Sequence, residues 1–123
     1  WVDAIATDHA PHTPADKAAG ANGISGIEHA FASVNTALVK SGEISLNCLS
    51  RLMSKNPADI MGLKKGRLQA GFDADFVLLD PDKKITVKAA EMLSRGKNTP
   101  LDGRELFGEI IATVRKGKIT YAK

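Results

Sequence analysis

Asp8, His9 and His12 fall within five residues of one another, in the string Thr7-Asp8-His9-Ala10-Pro11-His12. A carboxylate can bind a metal ion, act as a general base, or do both in turn. Imidazoles ligate zinc or donate hydrogen bonds to an anion. Residue types alone leave other readings open. Asp8 can cap a turn or pair with a lysine, and His9 and His12 can be ordinary loop residues. The rest of the chain offers few further ligands, since His29 is the only other histidine and Cys48 the only cysteine. A closed zinc site takes four protein ligands. Asp8, His9 and His12 cannot complete one, so either they are not ligands or the remaining ligands lie on other chain.

The elements around the string must position it. Residues 2–7 are short and mostly apolar, and they predict a buried, parallel strand. Pro11, Pro14, Gly20, Gly23 and Gly26 then predict a loop over 8–26. Loops of this length in compact domains are usually functional or disordered. Its glycines, from Gly20 to Gly26, either offer backbone N–H groups to a ligand or simply give flexibility. Ile27, Phe31, Val34 and Leu38 are spaced for one face of a helix over 27–40, closed by Ser41-Gly42. Strand, loop and helix make one βα unit, and in α/β folds sites lie at the carboxyl ends of strands.

Ser45 can cap a second helix with Leu46, Leu49, Leu52 and Met53 on its apolar face. Asn56-Pro57 predicts a third, short helix, with Asn as cap and Pro in the first turn, ending at Met61-Gly62. From Leu63 onward β-formers dominate, so a boundary is placed between 1–62 and 63–123. Residues 76–79 and 85–87 predict two strands around an Asp80-Pro81-Asp82 turn. Residues 89–93 predict one helical turn, and Asn98-Thr99-Pro100 reads as turn chemistry. Residues 110–114 and 118–121 predict a β-hairpin about Lys116-Gly117. His29 falls off the apolar stripe and is expected to be solvated, and Cys48 to be a partly buried helix residue.

Composition narrows the function classes. Hydrophobic residues make up 43% of the 123 and charged residues 25%, as in an ordinary globular domain, while the 5% aromatic content requires an aliphatic core. The net charge of +3 is scattered, with no aromatics interleaved, which argues against nucleic acid as a partner. No apolar run approaches the ~20 residues of a membrane span. A single cysteine excludes an internal disulfide and fits a reducing, cytoplasmic setting. The sequence opens on Trp1 rather than Met, and it is expected to be a piece of a longer polypeptide.

The string Thr7-Asp8-His9-Ala10-Pro11-His12 resembles the motif after the eighth barrel strand of bacterial dihydroorotases, members of the amidohydrolase superfamily. The resemblance continues in order through Gly23-Ile24-Ser25-Gly26-Ile27-Glu28, Asn56-Pro57-Ala58, Gly62-Leu63, Gly66-Arg67-Leu68 and Gly71-Phe72-Asp73-Ala74-Asp75-Phe76. It ends in Lys97-Asn98-Thr99-Pro100 and Thr113-Val114-Arg115-Lys116-Gly117. The Asn-Pro-Ala and Gly-x-Asp-Ala-Asp segments are common to many amidohydrolases. The Asp-His-Ala-Pro-His string is narrower and favours dihydroorotase over hydantoinase or allantoinase.

The resemblance implies an α/β fold: the C-terminal portion of a (β/α)8 TIM barrel over 1–62, and part of a small β-sandwich over 63–123. It implies reversible cyclisation of N-carbamoyl-L-aspartate to dihydroorotate in pyrimidine biosynthesis, with zinc activating water and polarising the ring carbonyl. Asp8 matches the family's strand-eight aspartate, a metal ligand and proton shuttle. His12 resembles the histidine that binds the substrate carboxylate. Gly23, Ile24, Ser25 and Gly26 resemble the loop closing over the substrate, and His9 receives no role. The other ligands of the family's zinc site, binuclear in the whole protein, should all precede Trp1, so the isolated chain is expected to be inactive. A homo-oligomer is expected, with association to aspartate transcarbamoylase as a further possibility. Two alternatives stand beside this reading: a related cyclic amidase, and a non-catalytic partner of aspartate transcarbamoylase.

Overall fold

The computed structural model describes residues 2–123, and Trp1 lies outside the described residues. The expected helix over 27–40 forms as α2, residues 27–39. It is built from a 3-10 turn Ile27–His29, an α-helical stretch Ala30–Val34 and a π-helical stretch Asn35–Val39. Gly42 closes it at φ +85, and the Ile44 N–H reaches back to the Leu38 carbonyl at 3.0 Å. This backbone angle favours a residue without a Cβ.

Ser45 caps the next helix as expected, its hydroxyl accepting the Cys48 N–H at 3.1 Å. That helix, α3, covers 46–60 without a break: α-helical Leu46–Ser50, π-helical Arg51–Lys55 and α-helical Asn56–Ile60. The separate helix expected at Asn56-Pro57 therefore does not exist. Pro57 brings no N–H, and its ring crowds the carbonyl four residues back. The turn before it is widened, with the Asn56 N–H bonding to the Arg51 carbonyl five residues back. Asn56 is not a cap, and its Nδ2 donates to the Asp3 carbonyl at 2.8 Å. The end at Met61-Gly62 is as expected. Gly62 has φ +65, and the Leu63 N–H closes on the Ala58 carbonyl at 2.8 Å.

Strands β1 (Phe76–Thr86), β2 (Glu105–Arg115) and β3 (Lys118–Ala122) form an antiparallel sheet in that order. The two strands expected on either side of Asp80-Pro81-Asp82 are a single strand, because both halves pair with β2. The expected turn survives as a bulge, where pairing jumps from Asp80↔Glu109 to Lys84↔Phe107. The Asp80 carboxylate holds it, accepting the N–H groups of Asp82 at 2.9 Å and Lys83 at 3.1 Å. Lys116 and Gly117, at φ +49 and +74, make the tight turn of the expected β2–β3 hairpin. The helical turn expected near residue 89 is a 3-10 turn, Ala89–Glu91.

Helix α2 packs on β2 at the bulge, across the expected boundary near residue 63. Asn35, fully buried, donates to the carbonyls of Pro81 at 2.9 Å and Phe107 at 2.8 Å. The Thr36 hydroxyl accepts the Phe107 N–H at 2.7 Å and donates to the Ala32 carbonyl at 2.7 Å. Backbone groups that the bulge removes from the ladder thus find partners on the helix, as buried groups must. Gly108 lets the two approach, since a Cβ there would sit 2.6 Å from the Phe31 ring. The small core of Ala32, Val87 and Leu106, with Ile85 and Leu101 against it, joins these elements.

Two expectations fail at the N-terminal end. Residues 2–7 form no strand. A strand needs a ladder partner, and this segment instead ties Ile5 N–H to the Leu52 carbonyl of α3 at 3.0 Å. The 8–26 loop is not structureless either, for it contains α1, Pro14–Ala18. Thr13 and Asp16 form a reciprocal capping box at 3.1 and 3.0 Å, with Pro14 opening the helix. The Thr13 hydroxyl, which also donates to the Asp16 carboxylate at 2.7 Å, and then the Thr13 N–H hold that carboxyl below its ordinary range. No helix among the described residues is long and apolar enough to cross a membrane.

Candidate functional site

Asp8 opens the loop over 8–26. Its backbone has φ +45, a left-handed conformation that Asp tolerates better than most residues, and it is exposed. The next residues run beside the end of the loop, in the same direction. His9 bridges to Ile24 in parallel, and the Ala10 N–H donates to the Ile24 carbonyl at 2.9 Å. The loop therefore folds into two arms, 8–12 and 23–26, lying side by side.

His9 joins them a second time. Its Nδ1 accepts the N–H of Gly26 at 3.1 Å and of Ile27 at 3.3 Å. These are free donors at the start of α2, where no side chain of the helix itself provides a cap. Gly23 makes the close approach possible. A Cβ on it would lie 2.5 Å from the Ala10 Cβ, 2.9 Å from the Ala10 carbonyl oxygen and 3.4 Å from the His12 ring. Its φ of +120 independently requires glycine. The Gly23 carbonyl accepts from Lys17 Nζ of α1 at 3.2 Å and from Asn98 Nδ2 at 2.9 Å.

The predicted site residues thus share one region, but their side chains and backbones do different things. Asp8 is exposed, His12 is half-buried behind it in the chain, and Ile24 is exposed on the facing arm. Ser25 is fully buried, with its hydroxyl donated to the Gly96 carbonyl at 2.6 Å and its N–H to the Asn98 carbonyl at 2.8 Å. Gly26 spends its N–H on His9. Ser25 and Gly26 are bound into the protein, in the loop that the resemblance implies closes over a substrate. His29, expected to be solvated, is half-buried, with a shielded Nε2 that has no partner among the described residues. Cys48 is partly buried, as expected.

Sequence reasoning missed two contributors. His9 had no role there, and nothing in its local sequence marks it as a cap for a helix eighteen residues on. Asn98 read as a turn residue, whereas its side chain reaches both arms of the loop.

Zinc was implied by the resemblance, so the donors present must be compared with what zinc needs. No group of three or more His, Cys, Asp or Glu among the described residues is placed to hold a metal ion. Asp8 fits as one oxygen ligand because it is exposed. His9 has committed Nδ1 to backbone donors and keeps only Nε2. By themselves these residues do not make a metal site. A wide apolar groove between α3 and the sheet, lined by Leu49, Met53, Pro57, Leu79 and Val114 among others, lies elsewhere and takes no residue from 8–26.

Against known proteins, the model of the amidohydrolase family matches residues 3–120. The chain belongs to the amidohydrolase family. A dihydroorotase of Clostridium botulinum (strain Eklund 17B / Type B) is 52% identical over 122 residues, covering 99% of this chain and 31% of that protein. A dihydroorotase of Lactiplantibacillus plantarum is 46% identical over 127 residues, 99% of this chain and 30% of its own length. This amidohydrolase chain spans about a third of the length of the curated relatives it matches. Among solved structures, the L-hydantoinase (dihydropyrimidinase) of Arthrobacter aurescens superposes with a TM-score of 0.91 at 33% identity, over 98% of this chain and 29% of that one. A D-hydantoinase (dihydropyrimidinase) of a Thermus species gives 0.89 at 25% identity, over 98% and 28%. The α/β piece described above is thus a recurring part of larger amidohydrolases.

Proposed function

We propose that this amidohydrolase chain is the C-terminal part of a dihydroorotase, which interconverts N-carbamoyl-L-aspartate and dihydroorotate in pyrimidine biosynthesis. The chain carries the end of the barrel over 1–62 and a share of the β-sandwich over 63–123. What carries the reading is the loop itself: an exposed Asp8 and a braced His12 in one Asp-His-Ala-Pro-His string. The 52% identity to a dihydroorotase, against 33% to an L-hydantoinase, supports the same choice of substrate. A cyclic amidase of the hydantoinase kind is the second reading, favoured by the 0.91 superposition.

In this proposal Asp8 is the residue that holds the metal, with the remaining ligands on other parts of the protein. When bound, zinc lowers the pKa of the attacking water and polarises the ring carbonyl. Asp8 moves the proton. In the hydrolytic direction a carboxylate oxygen takes it from the water and returns it to the departing ring nitrogen. In the ring-closing direction the same oxygen receives the proton of the attacking carbamoyl nitrogen and passes it to the carboxylate oxygen that departs as hydroxide when its C–O bond breaks. His12 donates a hydrogen bond to the substrate's free carboxylate, a group that a plain hydantoin lacks. A site built to bind that group discriminates against a ring without it, because its donor is then left unpaired. Gly23 and Ile24 form the facing wall, and Ser25 and Gly26 brace it.

The substrate is a small anion, the setting cytoplasmic, and the protein a homo-oligomer able to associate with aspartate transcarbamoylase. The 123-residue chain alone is inactive, because one carboxylate corner cannot hold the metal. The test is an assay of the full-length protein with carbamoyl aspartate, dihydroorotate and hydantoin, before and after chelation. Turnover of the first two, lost with chelator and restored by zinc, is expected. Preferential turnover of hydantoin overturns the substrate assignment.

A further inference from the structure

Segment 93–98 arrives from the far end of the sequence and lies along the 8–26 loop. Ser25 donates its hydroxyl proton to the Gly96 carbonyl at 2.6 Å. Gly96 is buried with its backbone against the loop. A Cβ there would stand 2.8 Å from Pro11 Cβ and 2.9 Å from the His12 nitrogen. The Glu28 carboxylate at the start of α2 accepts the N–H groups of Leu93 at 2.8 Å and Ser94 at 2.7 Å.

Asn98 is the centre of this contact. Its Oδ1 accepts the His12 N–H at 3.3 Å, and its Nδ2 donates to the Gly23 carbonyl at 2.9 Å. Its own carbonyl accepts the Ser25 N–H at 2.8 Å. One side-chain amide therefore spans both arms, with its acceptor on the arm of His12 and its donor on the arm of Gly23. No other side-chain type of this length has a donor and an acceptor on one planar group.

We propose that Asn98 is a positioning residue: it sets the His12 backbone against Gly23, and through it the place where the His12 ring meets a carboxylate. This rests on the reading of His12 as the carboxylate anchor. The role is distinct from general stability, because it acts on one end of the substrate. Asn98→Ala frees the His12 N–H and the Gly23 carbonyl together. Asn98→Asp keeps an acceptor for the His12 N–H but sets a charged acceptor oxygen against the Gly23 carbonyl.

The experiment uses the full-length protein. In Asn98→Ala the KM for dihydroorotate rises about tenfold, the scale of one to two net hydrogen bonds. In Asn98→Asp it rises at least as much, because a carboxylate oxygen then faces the Gly23 carbonyl. The inhibition constant of dihydrouracil, the same ring without the carboxylate, stays within about twofold in both. Combining Asn98→Ala with His12→Ala raises KM no further than His12→Ala alone. Equal losses for both rings, or additive effects in the double variant, overturn the proposal. Amide hydrogen exchange over 9–26 provides a readout that needs no turnover. Faster exchange of the His12 N–H in Asn98→Ala is expected, and unchanged exchange overturns the clasp itself. A wild-type protein without dihydroorotate turnover but with this exchange change shows the clasp intact and refutes the substrate reading and the positioning role built on it.

Discussion

His9 Nδ1 accepts the backbone N–H of Gly26 at 3.1 Å, so the residue after the candidate catalytic carboxylate is the cap of the helix that follows the loop. The Ile27 N–H approaches the same lone pair at 3.3 Å. An accepting Nδ1 leaves the ring proton on Nε2. The imidazole thereby ties the 8–12 arm to the start of α2.

That cap gives a first prediction. Asn presents an amide oxygen near the position of a histidine Nδ1, so His9→Asn keeps most of the cap. His9→Ala removes it and costs about 1 kcal/mol, the usual worth of a side-chain cap. Denaturant midpoints of the two variants check this. Equal destabilisation by both sinks the assignment.

Gly23→Ala meets two obstacles at once, a backbone at φ +120 and a Cβ contact of 2.5 Å with Ala10. A loss of about 3 kcal/mol is expected from strain and overlap together. Gly20→Ala is the comparison. Its φ is +91, but nothing lies within 4 Å of the added Cβ, so it loses about 1–2 kcal/mol from backbone strain alone. Thermal unfolding of the pair separates the two terms.

Asp8→Asn removes the proposed proton carrier while keeping a residue type that accepts φ +45. In the full-length protein kcat falls by about 10²–10⁴-fold, with the fold unchanged by circular dichroism. Retention of more than a tenth of the activity assigns the proton transfer to another group.

Asp75 ties the start of β1 to the hairpin turn. It pairs with Lys65, and its other oxygen accepts the Lys116 N–H at 2.6 Å. The hydrogen bond from Lys65, then that from Lys116, holds its carboxyl below the ordinary 3.8. A lowered folded-state value means that the contribution to stability is fully present above 3.8 and is lost as the pH falls through the lower value. The gap in denaturant midpoint between wild type and Asp75→Asn should therefore close between about pH 5 and pH 2. A gap that is constant over this range contradicts the pairing.

Much of the fold was legible because its signals are local. The spacing of Phe31, Val34 and Leu38 encodes α2, Ser45 encodes the start of α3, and Lys116-Gly117 encodes the hairpin. The capping box of Thr13 and Asp16 was equally local, but it was hidden among the prolines and glycines that suggested a bare loop. Asn56-Pro57 misled because a local cap signal lost to a longer helix that widened one turn to keep the proline.

By itself the sequence determined which groups are available: a carboxylate at Asp8, an imidazole at His12, and glycines spaced from Gly20 to Gly26. Those facts follow from side-chain type and nearest neighbours. Only the tertiary structure decided what holds them. Asn98 reaches His12 across 86 residues and Gly23 across 75. His9 caps a helix from outside it, and residues 2–7 stay unpaired as a strand. Each outcome depends on which distant backbone donor or acceptor is brought within about 3 Å. Local sequence chemistry sets what a residue can bond to, and the path of the whole chain sets what it meets.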